Sequence, residues 1–102
     1  EIDPGNIAVL NRLAVYYSFL GKNDQALSTL ERITRISPDS ADALYNIACI
    51  HAKENRIMES VKALQKAVGL GFKNWQLLKT DRDLDNIRST NYYTDLISRV
   101  DQ

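Results

Sequence analysis

Apolar residues recur at helical spacing along most of this chain. Leu10, Leu13, Ala14 and Tyr17 stand at i, i+3, i+4 and i+7, which predicts an amphipathic helix over about Ile7 to Leu20. Gly21 offers a stop, and Asn23 or Asp24 can cap a second helix whose apolar side carries Ala26, Leu27, Leu30, Ile33 and Ile36. Pro38 ends that helix, while Asp39 and Ser40 can cap the next one. Adding 34 to Leu10, Leu13, Ala14, Leu30 and Ile33 gives Leu44, Ile47, Ala48, Leu64 and Ala67, so five apolar positions survive the shift. The second pair of helices is then expected at about Ala41 to Lys53 and Met58 to Val68, with Glu54-Asn55-Arg56 as the turn. Pro4 and Pro38 keep the same 34-residue spacing, which is a known period of helical solenoids.

After Val68 the period fades. Gly69-Leu70-Gly71-Phe72 is a glycine-rich stop where the next proline would fall, and Trp75 to Lys79 reads as a short helix. Asp81 to Ile87 is polar enough for a turn or one turn of 3₁₀ helix, with Leu84 and Ile87 reaching the core. Tyr93, Leu96, Ile97 and Val100 repeat the i, i+3, i+4, i+7 spacing, predicting a last helix over about Asn91 to Arg99 capped by Thr90 or Asn91. A stack of helix pairs needs such a lid, because its final pair otherwise leaves an apolar face in water.

The set Leu10, Leu13-Ala14, Tyr17, Ala26, Leu30 and Pro38 resembles the tetratricopeptide repeat. The second unit departs further: Leu44 and Ile47-Ala48 fit, but His51 replaces the Tyr, Ser60 the Ala and Phe72 the Pro. The resemblance implies an all-α fold, a right-handed α-solenoid of antiparallel helix pairs with about two units and C-terminal cap helices. Residues 1–6 read as the remnant of a preceding repeat, 7–40 as the first unit, 41–72 as the second and 73–102 as a degenerate third unit with a capping helix.

In this family the resemblance implies that one stripe of each unit's first helix lines a concave surface where peptide segments bind. In the first unit the stripe is Ala8, Asn11, Arg12, Val15, Ser18 and Phe19; 34 residues on it is Asp42, Tyr45, Asn46, Cys49, Ala52 and Lys53. The third unit would add Gln76 and Lys79, with Thr80. The candidate peptide-binding residues are therefore Asn11, Arg12, Val15, Phe19, Asp42, Tyr45, Asn46, Cys49, Lys53 and Lys79. Aromatic and Arg groups are frequent interface anchors, and an Asn amide can bond both sides of a peptide group. The carboxylate clamp that some members use for chaperone tails is matched here only by Asn46; Asn11, Val15, Gln76 and Thr80 occupy its other positions.

Composition narrows the partner. Thirteen basic and thirteen acidic residues cancel in 102, so no global field favours nucleic acid or an anionic membrane. No run approaches the roughly 18 apolar residues of a membrane helix. One cysteine, Cys49, cannot form an internal disulfide and leaves the compartment open, with the cytoplasm as default.

Catalytic and metal chemistry find little support. Asp81-x-Asp83-x-Asp85 imitates the start of a calcium loop, but Asn86 stands where Gly is needed and Tyr92 where Glu is needed; helix capping and solubility account for the acids. Cys49 and His51 point about 200° apart on a helix, and one His with one Cys is too few ligands for a metal site. His51 reads as a packed histidine and Asp101 as a solvated terminal residue. No phosphate loop or nucleophile triad is present. The expected function is a noncatalytic protein-interaction scaffold without cofactor. The alternatives are an accessory domain positioning an enzyme, or self-association in a weak homodimer through an N-terminal face of Val9, Leu13 and Tyr16.

Overall fold

A computed structural model describes residues 6–101 of the chain. Among them run α1 (Ile7–Phe19), α2 (Asn23–Ile36), α3 (Ala41–Lys53), α4 (Ile57–Gly69), α5 (Trp75–Thr80), a 3₁₀ helix (Arg82–Ile87) and α6 (Asn91–Val100). The sequence-based remnant at 1–6, with Pro4, lies outside the described residues except for Asn6. Asn6 accepts from the Val9 N–H and caps α1.

Polar residues start most of these elements. Ser40 accepts from Ala43 N–H at 3.3 Å, Asn74 from Leu77 N–H at 3.1 Å and Thr90 from Tyr93 N–H at 3.3 Å, each satisfying one orphan donor of a first turn. Thr90 rather than Asn91 is thus the cap of α6. The expected Asn23 or Asp24 cap of α2 is absent: α2 begins at Asn23, and its flanking residue Lys22 makes no side-chain cap bond. The reason lies in how α1 ends. Lys22 N–H bonds Tyr17 C=O at 2.8 Å and Gly21 N–H bonds Ser18 C=O at 3.0 Å, with Gly21 at φ 76°, so the closing turn of α1 delivers the chain directly into α2. The same pair of bonds closes α3, from Arg56 to His51 and from Asn55 to Ala52, with Asn55 at φ 60° taking the place of Gly21.

α1 pairs with α2 and α3 with α4 as antiparallel hairpins, α2 packs on α3 between them, and the 3₁₀ helix lies on α3 and touches α4. The result is the expected stack of antiparallel helix pairs, 47 × 25 × 21 Å. Alanines allow the close approach: Ala26, Ala43, Ala48, Ala52 and Ala67 are fully buried. Ser60, which replaces alanine, is equally buried, and its hydroxyl donates to Ala48 C=O at 2.7 Å, so the substitution leaves no unpaired group.

Two predicted core positions fall outside the core. Leu13 is 36% exposed because no described helix covers that side of α1, and Ile36 is 49% exposed at the last turn of α2. His51 is half-buried as expected, its Nδ1 accepting from Arg56 Nε at 3.0 Å. Asp101 is not merely solvated, since it forms an ion pair with Lys79.

The cap is organised by Arg88, which the sequence pattern did not single out. Its guanidinium donates to the carbonyls of Leu78 and Asp81 and to the Tyr93 hydroxyl, pairs with Asp85, and lies 5.3 Å from the Tyr93 ring centroid. One side chain thereby ties α5, the 3₁₀ helix and α6 together. Asn86 fastens this assembly to the end of α3 by donating to Ala52 C=O at 2.8 Å.

Candidate functional site

The most promising concavity opens between α1 and α3. It is a cleft of about 340 Å³ with an apolar floor of Ala14, Leu30 and Ile50, a flank of Val15 and Phe19, and a polar rim of Ser18, Asn46, Cys49, Lys53, Asp81 and Asp83. Helical spacing accounts for the flank: Val15 and Phe19 are one turn apart on α1 and point away from α2. Phe19 is 87% exposed, an unusual position for a large aromatic side chain unless something covers it. Lys53 spans the cleft mouth by donating from Nζ to Ser18 Oγ at 2.6 Å.

The predicted stripe is divided by the fold. Val15, Phe19, Asn46, Cys49 and Lys53 line the cleft, while Asn11 and Arg12 lie beside Val15, Tyr16 and Phe19 in a shallower depression on the outer side of α1. The amide oxygen of Asn11 is buried without a hydrogen-bond partner among the described residues. Asp42 borders a separate depression with Ser40, Leu70, Phe72 and Lys73. Lys79 is engaged with Asp101 at the end of α6 and takes no part in the cleft.

Tyr45 is the main departure from the expected exposed stripe. It is 3% exposed, its ring stacked on Phe72 at a centroid distance of 4.3 Å and an interplanar angle of 5°, and its hydroxyl donating to Asp81 Oδ2 at 2.7 Å. Cys49 is also buried, with its thiol directed to the same oxygen at 3.7 Å. Cys49 still lines the cleft, whereas Tyr45 supports its wall from behind, because the cap folds over part of the stripe that α3 contributes. Burial pushes the ionisation of the Tyr45 phenol upward, reinforced by the neighbouring Cys49 and Asp81. Burial likewise raises that of the Cys49 thiol, with the Asp81 charge second.

Sequence reasoning treated Asp81 and Asp83 as capping groups. Asp81 does cap, accepting from Asp83 N–H at 3.0 Å, and it also holds Tyr45 and Cys49. Asp83 is half-buried, and its carboxylate receives no hydrogen bond or ion pair among the described residues; burial raises its pKa, offset in part by the charge of Lys53. Cys49 Sγ and one oxygen from each of the two carboxylates lie within 4.8 Å of one another. The Tyr45 hydroxyl and the Cys49 thiol both point at Asp81 Oδ2, so Tyr45, Cys49 and Asp81 form a hydrogen-bonded network, with the Asp83 carboxylate beside it. No helix among the described residues is long and apolar enough to cross a membrane.

The tetratricopeptide-repeat pattern matches the sequence twice, over residues 7–40 and 41–72, about two thirds of the chain. The chain belongs to the tetratricopeptide-repeat family. Among curated proteins, this tetratricopeptide-repeat chain is 28% identical over 94 residues to a chloroplastic protein of Arabidopsis thaliana. It is also 36% identical over 70 residues to Cellulose synthase operon protein C of Pseudomonas fluorescens. These alignments cover 89% and 68% of the chain but only 28% and 6% of the respective relatives. No solved structure matched. Repeats of this family are typically noncatalytic and serve protein–protein interaction, and membership supports that class of function here.

Proposed function

We propose that the chain is a noncatalytic scaffold module that holds a peptide segment of a partner protein in the cleft between α1 and α3. The observation that carries this reading is the pairing of an apolar floor, Ala14, Leu30 and Ile50, with the exposed aromatic Phe19 on its flank. An apolar side chain of the segment would fill the floor, Phe19 would cover it, and Asn46 would bond its backbone. The helices are already packed, so little ordering is needed at the moment of binding. Tyr45 contributes by fixing the cleft wall, and Arg12 and Asn11 extend the contact over the outer edge of α1.

The test is selection of phage-displayed random dodecapeptides on the whole chain. Selected peptides are expected to bind the Phe19→Ala variant at least about tenfold more weakly, the loss of one interface anchor. The melting temperature should stay the same, because Phe19 is 87% exposed. Absence of any enriched sequence, or equal binding to both proteins, rejects the cleft.

A further inference from the structure

The rim of the cleft is not electrically balanced, and its charges differ in how they are engaged. Lys53 has its ammonium on Ser18 Oγ at 2.6 Å, on the α1 side. Asp81 and Asp83 line the same cleft, near enough to Lys53 for its charge to offset part of the upward shift of the Asp83 pKa. Among the described residues the Asp81 carboxylate is bonded only to neutral donors: the Tyr45 hydroxyl, the Cys49 thiol and the Asp83 N–H. Asp83 receives no hydrogen bond, and neither carboxylate belongs to an ion pair among the described residues. Two carboxylates face one ammonium, and both retain acceptor capacity toward the cleft.

We infer that the segment bound in this cleft carries a lysine or arginine next to an apolar residue, the cation against Asp83 and Asp81 and the apolar side chain over Ala14, Leu30 and Ile50. This rests on the peptide-binding reading above and adds the chemistry of the occupant. An acidic or C-terminal carboxylate ligand would meet two like charges and only Lys53 to offset them, whereas a cation restores a local balance. The depth of the cleft matters here, because a half-buried carboxylate such as Asp83 is screened less than an exposed one. The apolar floor beside the acids also suits the aliphatic stem of a lysine or arginine, which can lie along it while the charged end reaches the rim.

The same dodecapeptide library, selected in parallel on the whole wild-type chain and on Asp83→Asn, tests this. Asp83→Asn removes a charge whose side chain makes no hydrogen bond among the described residues, so the variant is expected to fold, and equal melting curves check it. The expected wild-type pool is enriched in Lys and Arg over Asp and Glu, with an apolar residue adjacent. Its members should bind Asp83→Asn about tenfold more weakly, the size of one charge-assisted hydrogen bond. Restoring the charge as Asp83→Glu should recover part of the loss. A pool enriched in acidic or only apolar residues, or basic peptides that bind Asp83→Asn equally well, overturns the charge assignment while leaving a peptide cleft in place. A library that yields no enriched pool overturns the cleft reading itself, and this assignment with it.

Discussion

α1 and α3 occupy equivalent places in successive units, yet α3 buries eight residues, Ala43, Leu44, Tyr45, Ile47, Ala48, Cys49, Ile50 and Ala52, and α1 only Leu10 and Ala14. Composition does not explain this, since α1 is as apolar as α3. Neighbours do. α3 is enclosed by α2, α4 and the 3₁₀ helix, whereas among the described residues α1 has α2 behind it and an open side in front. Equivalent positions make the difference concrete: Tyr16 is 59% exposed and Ile50, 34 residues on, 2%; Val15 is 58% exposed and Cys49 5%. In a stack of helices, burial belongs to the stack and not to the individual sequence.

The sharpest way to break this comparison is to place a charge in each helix at the equivalent small residue. Ala48→Arg puts a guanidinium where no solvent reaches, and the cooperative melting transition should disappear, a loss of about 4 kcal/mol or more. Ala14→Arg is expected to be milder, because Ala14 lines the cleft and the side chain can turn into it. Equal damage in the two variants would contradict the proposed asymmetry. Next in size, Ile50→Ala should cost about 3 kcal/mol in denaturant unfolding and Tyr16→Ala less than about 0.5 kcal/mol, although the larger side chain is removed in the second case.

A smaller effect tests what encloses α3. Tyr45→Phe removes the phenol that Asp81 accepts from, and should cost about 1 kcal/mol while speeding amide hydrogen exchange across residues 82–87. If exchange there is unaffected, the cap is held by Phe72 and Asn86 without the Tyr45 contact. The smallest effect is pH-dependent and belongs to α3 alone. Burial, with the charge of Arg56 second, lowers the His51 pKa below its ordinary 6.5. The unfolded chain therefore binds the proton more readily, and stability present above pH 6.5 is lost as pH falls through the folded-state value. Melting temperatures at pH 7.5 and 5.5 should differ more for the wild type than for His51→Gln.

The repeat was legible because a helical hairpin places its apolar positions locally and copies them at a fixed spacing. Leu10, Ala14, Leu44, Ala48, Leu64 and Ala67 could be named as core from that alone, and all are buried. The site was legible only in part. Helical phase identified Val15, Phe19, Asn46 and Lys53, which do line the cleft. It also nominated Cys49, which lines the cleft with its thiol held by Asp81, and Tyr45, which Phe72 and Asp81 cover from a segment with no repeat register to follow. Asp81 and Asp83 carried a capping signal that was correct for Asp81 and concealed their second position on the rim. Lys79 followed the same periodic logic but lies apart from the cleft, paired with Asp101, because α5 lasts only six residues before the chain turns away.

Phe72 stands 34 residues after Pro38, at the place where a third proline would keep the period. Its backbone closes α4 by bonding Ala67 C=O at 3.0 Å, and its ring stacks on Tyr45. Punctuation and packing are thus vested in a single residue. Grafting another regular unit after Val68 would evict this ring, strip the cover from Tyr45 and detach the phenol from Asp81. Growth of the array by duplication on that side would therefore dismantle a wall of the cleft, so repeat number and the shape of the cleft cannot evolve independently here.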